Sequence, residues 1–131
     1  MHFKLITHDR IVFDEDVNEI YTRGVDGEFG VLENHVPLMT ALDVGVTKVV
    51  KGDDTHFFTT MGGIFQFKDN NAILLTDTAE TGADIDIARA KSALERAKAR
   101  LADKSVEIDA KRAEAAIARA EARLKAKLSQ Q

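Results

Sequence analysis

The sequence predicts a β + α chain: an N-terminal antiparallel β-sandwich followed by a C-terminal antiparallel αα-hairpin. Three observations carry this. Short apolar or alternating segments separated by turn-forming residues fill the first part. All 8 Gly, the single Pro and all 8 aromatic residues lie before residue 84. From Asp84 on the chain is built of Ala, Lys, Arg and Glu, strong helix formers, with 14 Ala after that point against 4 before it.

Charge divides at the same place. Before Asp84, 6 Lys+Arg stand against 14 Asp+Glu; from there on, 12 stand against 8. Two domains follow, residues 1–83 and 84–131.

In the first domain, residues 3–7 alternate as a half-buried strand does, and residues 11–13 and 17–22 follow, parted by the acidic residues 14–16. Residues 44–51 and 55–61 flank a Gly-containing turn, which reads as a hairpin. Residues 64–67 and 72–76 flank residues 68–71 as a second hairpin. Phe3, Leu5, Val12, Phe29, Val31, Val46, Phe57, Phe65, Phe67, Ile73 and Leu75 are the expected core. A domain of this size buries only a modest core and gains from a partner.

The second domain contains a repeat at an offset of 23 residues. Ile85, Asp86, Arg89 and Ala90 recur as Ile108, Asp109, Arg112 and Ala113; Arg96, Ala97, Arg100 and Leu101 recur as Arg119, Ala120, Arg123 and Leu124. Each copy opens with an Asp in the position of a helix N-cap. Residues 103–108 make the link, short enough to force the helices antiparallel. Ile87, Ala90, Leu94, Ala97 and Leu101 form one apolar stripe, and Ala113, Ile117, Ala120 and Leu124 the other. A seam so rich in Ala removes little apolar area from water, at about 25 cal/mol per Å². The hairpin is therefore expected to be weakly held. The Arg trios 89/96/100 and 112/119/123 each lie along one face. They read either as a solvated basic face with Glu partners or as an anion cradle, since a guanidinium grips phosphate oxygens in a fork.

Several classes are excluded or disfavoured. No apolar run reaches the roughly 18 residues of a membrane helix. No leader pattern follows Met1, and without Cys a reducing compartment is the default. A mildly acidic chain (net charge −4), with no aromatic residue in its basic part, is a poor nucleic-acid binder. The four His show no metal-ligand spacing, so no metal and no catalytic residue is expected.

Gly24, Gly27 and Gly30, followed by His35, Pro37 and Leu38, form neither a dinucleotide fingerprint nor a phosphate loop. They are turn and bulge glycines. This run, however, resembles the signature of the epsilon subunits of F-type ATP synthases. Gly62-Gly63, the stretch from Leu75 to Glu80, and Ile85-Asp86-x-x-Arg89-Ala90 resemble that family's later landmarks, in order over the full length.

The resemblance implies a non-catalytic rotor subunit of the central stalk. Its sandwich would dock on the gamma subunit and on the membrane ring, with Glu28 and His35 facing the ring. No cofactor is required. Regulatory ATP would be sensed by Glu80, Ile85, Asp86, Arg89, Ala90, Arg96, Arg119 and Arg123, holding the hairpin folded. Without nucleotide the helices would extend to the catalytic alpha/beta head and inhibit hydrolysis through Arg112, Arg119 and Arg123. The implied location is the cytoplasmic face of the cell membrane, reached only through the complex. Three other readings stand beside it: a polyanion-binding module, a small enzyme using Glu28, Glu33 and His35, and a coupling subunit that regulates nothing.

Overall fold

The computed structural model describes residues 1–102 and 110–130. Eight strands come first: β1 (His2–Ile6), β2 (Ile11–Asp16), β3 (Glu19–Gly24), β4 (Gly27–Leu32), β5 (Leu38–Lys51), β6 (Asp54–Lys68), β7 (Asn71–Leu75) and β8 (Ala79–Thr81). A single 3-10 turn, Gly82–Asp84, leads into α1 (Ile87–Ala102) and α2 (Ala110–Gln130). The expected link at residues 103–108 and the second cap at Asp109 lie outside the described residues.

The strands hydrogen-bond in the order β2-β1-β7-β6-β5-β3-β4, with β8 added to β6. All neighbours are antiparallel except β1 and β7, which run parallel. The long strands β5 and β6 carry the sheet through both layers, and the layers close on one core. Phe29 of β4 meets Phe65 of β6 edge to face at 5.5 Å, although two strands separate them in the sheet order. Phe13 of β2 meets Phe58 of β6 at the same distance.

The sequence reading differs from the structure in β5, β6 and β2. The reading starts strands at Val44 and Thr55 and breaks them at Gly62-Gly63, whereas β5 and β6 run through. The pairing register is the same on both sides of the glycines, with Leu42 opposite Gly63 and Val44 opposite Met61, so neither strand ends there. Gly63 has φ +120°, and a Cβ on it would lie 1.8 Å from the Leu75 carbonyl oxygen, so only glycine fits. The acidic residues 14–16 also continue β2 instead of breaking it, because β2 is an edge strand whose charges reach water.

The core follows the expected set in most places. Phe3, Leu5, Val31, Phe65 and Phe67 are buried, with Val12 and Phe29 packed against them. Ile73 and Leu75 are not core residues: they are 38% and 48% exposed, while Ala72 and Leu74 turn inward. The run 72–75 is wholly apolar and has no phase of its own. Register supplies it, since Leu74 pairs with Phe65 and Ala72 with Phe67. Similarly Phe58, not Phe57, fills the core. Val46 points the other way, into a second and separate cluster with Ile85, Ala90, Leu124 and Ala126.

That second cluster seats the hairpin. Ala90, near the start of α1, meets Ala126, near the end of α2, so the helices are antiparallel. Ala90, Ala97, Ala113 and Ala120 are buried as expected along the seam. Ala122 and Ala126, absent from the expected stripes, are buried too, and α2 is the helix that lies on β5 and β6. Leu101 is 40% exposed and does not join the seam.

The two faces of β6 give a test. Phe65→Ala removes a fully buried ring and is expected to cost about 3–5 kcal/mol. Ile64→Ala, on the outward face, is expected to cost under about 1 kcal/mol. Denaturant unfolding of the chain measures both; equal losses would contradict the assigned faces.

Candidate functional site

A concave constellation sits at the junction between sandwich and hairpin. β8 hydrogen-bonds to β6 and brings up Glu80. The turn after it presents Asp84, whose Oδ2 accepts a hydrogen bond from Thr81 Oγ1 at 2.7 Å. Asp86 caps α1: its Oδ1 accepts from the Arg89 backbone N–H at 3.1 Å. One turn of helix then separates Arg89 from Ala93, and a second brings Arg96 to the same side.

These groups line a cavity of about 430 Å³, together with Ile85, Ala90 and Arg123 of α2. Seven of the eight residues that the resemblance assigns to nucleotide are thus brought together: Glu80, Ile85, Asp86, Arg89, Ala90, Arg96 and Arg123. Arg119 is not among the lining residues; it lies one turn before Arg123 and is half-buried. Ile85 and Ala90 are buried in the hairpin cluster, so packing accounts for both. The sequence reading missed Asp84, although its spacing from Thr81 is the signal of a local Ser/Thr–Asp bond.

Charge in the cavity is balanced, with three guanidiniums facing three carboxylates. Arg123 Nε donates to Glu80 Oε1 at 3.0 Å across the hinge. Among the described residues no ion pair engages Arg89 or Arg96. Two cations in a concave site can receive an anion. The Arg trios do not form continuous cradles, because the cavity takes Arg89 and Arg96 from one and Arg123 from the other. Arg112 is exposed on α2, outside the cavity.

Glu28 and His35 line a second, more open cavity of about 360 Å³ beside the turn joining β3 and β4. Gly30, next to it, admits the Tyr21 ring, which a Cβ would meet at 2.7 Å. Glu28 is exposed, with its Oε1 3.7 Å from Lys125 Nζ of α2. His35 is half-buried rather than free: its Nδ1 donates to the Val36 carbonyl at 2.7 Å, and its ring stands edge-on to Phe67 at 5.9 Å. Glu33 points elsewhere, to the Met1 amino group at 2.9 Å, so the Glu28, Glu33 and His35 triad is not assembled.

The sequence reading also left His2 unassigned. Its Nδ1 lies 2.7 Å from Asp16 and its Nε2 2.5 Å from Asp14, which raises its pKa above the ordinary value. Among the described residues no His, Asp and Glu cluster is placed to hold a metal ion, and no helix is long and apolar enough to cross a membrane.

Residues 1–82 match the beta-sandwich domain of the ATP synthase delta/epsilon chain, and residues 83–127 match its long alpha-helix domain. The ATP synthase epsilon chain of Pelotomaculum thermopropionicum is 42% identical over 102 residues, covering 78% of this chain and 76% of that one. That of Carboxydothermus hydrogenoformans matches at the same identity and coverage. A chain in the Euglena gracilis mitochondrial ATP synthase structure, which holds OSCP, F1 and the c-ring, superposes with a TM-score of 0.85. It is 26% identical, and the match covers 96% of this chain and 79% of that one. By domain order, identity and fold, the chain belongs to the ATP synthase delta/epsilon family, among its epsilon chains.

Proposed function

We propose that this chain is a non-catalytic subunit of the central stalk of an F-type ATP synthase, with a sandwich that anchors and a hairpin that regulates. The observation that carries the regulatory half is the position of the hinge cavity. It is lined by β8, α1 and α2 at once. An anion held there touches all three and stabilises the docked hairpin by mass action. ATP fits this chemistry: Arg89 and Arg96 meet its phosphates, with Arg123 closing from α2. It acts as a ligand and not as a resident cofactor.

The anchoring half rests on an apolar row on the outward face of the sheet. Ile11 pairs with Ile6, Ile6 with Leu75, Leu75 with Ile64, and Ile64 with Ala41. Ile11, Leu75 and Ile64 are about half exposed, at 56%, 48% and 49%. Exposed apolar residues in one contiguous row mark an interaction face. The gamma subunit is the partner proposed for it, and the membrane ring is the partner of Glu28 and His35. The chain would then lie peripherally at the cytoplasmic face of the membrane, held there through the complex.

When the hairpin leaves the sandwich, Arg112, Arg119 and Arg123 become available to an acidic surface on the alpha/beta head. Arg123 takes part in both states, since it holds Glu80 when docked. Arg112 is exposed in the docked form.

Two experiments test the reading. Calorimetric titration of the chain with ATP is expected to show binding, weakened about 10-fold or more by Arg89→Ala or Arg96→Ala, as charge-assisted hydrogen bonds are lost. No heat with the unmodified chain, or equal affinity in the variants, contradicts a nucleotide site. In the assembled enzyme, removal of residues 84–131 is expected to raise ATP hydrolysis. Unchanged hydrolysis would favour the coupling subunit that regulates nothing.

A further inference from the structure

We propose that Thr59 is the positioning residue of the hinge cavity, holding Glu80 where Arg123 of α2 can reach it. The inference rests on the docked hairpin being the resting form of the regulator.

β8 is only three residues long and is bonded to β6 alone among the strands. So short a strand offers few ladder bonds to fix its backbone. Thr59 lies directly opposite Glu80 in that pairing. Its side chain is fully buried, and its Oγ1 accepts the Glu80 backbone N–H at 3.1 Å. The same hydroxyl is oriented to donate to the Glu80 carbonyl at 3.5 Å. One buried hydroxyl thus holds both backbone polar groups of the residue that carries the cavity's carboxylate. Glu80 in turn takes Arg123, giving the chain of contact Thr59, Glu80, Arg123, α2.

The neighbouring residue shows that this is not a general feature of buried threonines. Thr60 points to the opposite face, where its hydroxyl meets Thr47 at 3.2 Å, and Thr47 meets Thr22 at 2.8 Å. That trio lies among the sandwich layers. Adjacent residues on one strand therefore serve different bodies: Thr60 the sandwich, Thr59 the hinge.

The test is amide hydrogen exchange on the full chain. It compares Ala122 and Ala126 of α2 with Phe65 and Leu74 of the sandwich. Thr59→Val is expected to speed exchange at the two α2 positions about 3- to 10-fold and to leave the sandwich positions unchanged. Thr59→Ser restores the native rates, because the hydroxyl is kept. Thr60→Val moves the sandwich amides and spares the difference between the two bodies. In a Glu80→Gln background, Thr59→Val adds nothing further, since the route through Glu80 is already weakened. Native α2 rates in Thr59→Val, or equal acceleration with and without Glu80→Gln, would overturn the role of Thr59. Unprotected Ala122 and Ala126 in the unmodified chain would instead overturn the docked hairpin on which the inference rests.

Discussion

The hold of α2 on the sandwich governs the rest of this structure, and that hold is made of alanine. Ala122 and Ala126 are both buried along the last turns of α2. An Ala methyl removes far less apolar surface than a Leu side chain, so the seat is shallow. Polar groups on the flanks of α2 supply the rest. Arg123 reaches Glu80, Lys127 Nζ donates to the Ala83 carbonyl at 3.0 Å, and Lys125 stands near Glu28. Partly exposed pairs of this kind are each worth about 0–1 kcal/mol and weaken with salt. The sum is a modest hold on the helix. The sandwich core and the hairpin cluster share no residue, so the sheet's packing does not depend on that cluster.

The proposed regulation depends on where this seam lies. The cavity opens at the joint, lined by the last strand, the linker and both helices. A ligand that touches only one body shifts nothing, whereas one that spans a joint favours the closed form by its difference in affinity. The acidic sandwich carries an exposed apolar outward row suited to the stalk partner proposed for it. The basic hairpin carries cations suited to the reversible partner proposed for it. In the docked form Lys125 also reaches Glu28, so the two ends of the molecule are not electrically independent.

Much of this was legible in the sequence because composition changes at one point. Glycine, proline and aromatic residues stop where alanine and arginine begin, and the fold changes there too. Alternation found the strands that have one wet face, such as β1. It failed where a segment is apolar on both sides: residues 72–75 have no phase until Phe65 and Phe67 pair with them. It failed again at Gly62-Gly63, where two glycines inside a continuous strand look like a break. In the helices, heptad-like spacing found the seam between α1 and α2. It missed Ala122 and Ala126, because nothing in an alanine's identity tells which of two neighbours it will touch. Cavity residues brought by motif were found; Asp84 and Thr59 act through local and cross-strand bonds that no spacing rule announces.

In the proposed mechanism the hairpin is a separately seated body whose position depends on nucleotide. The most direct measurement is the distance between one fluorescent label at residue 53, in the β5–β6 turn, and another at residue 128, near the end of α2, within the assembled enzyme. Two distances that exchange population when ATP is added, with the short one favoured, are the predicted result. A single distance that ignores ATP would contradict the account.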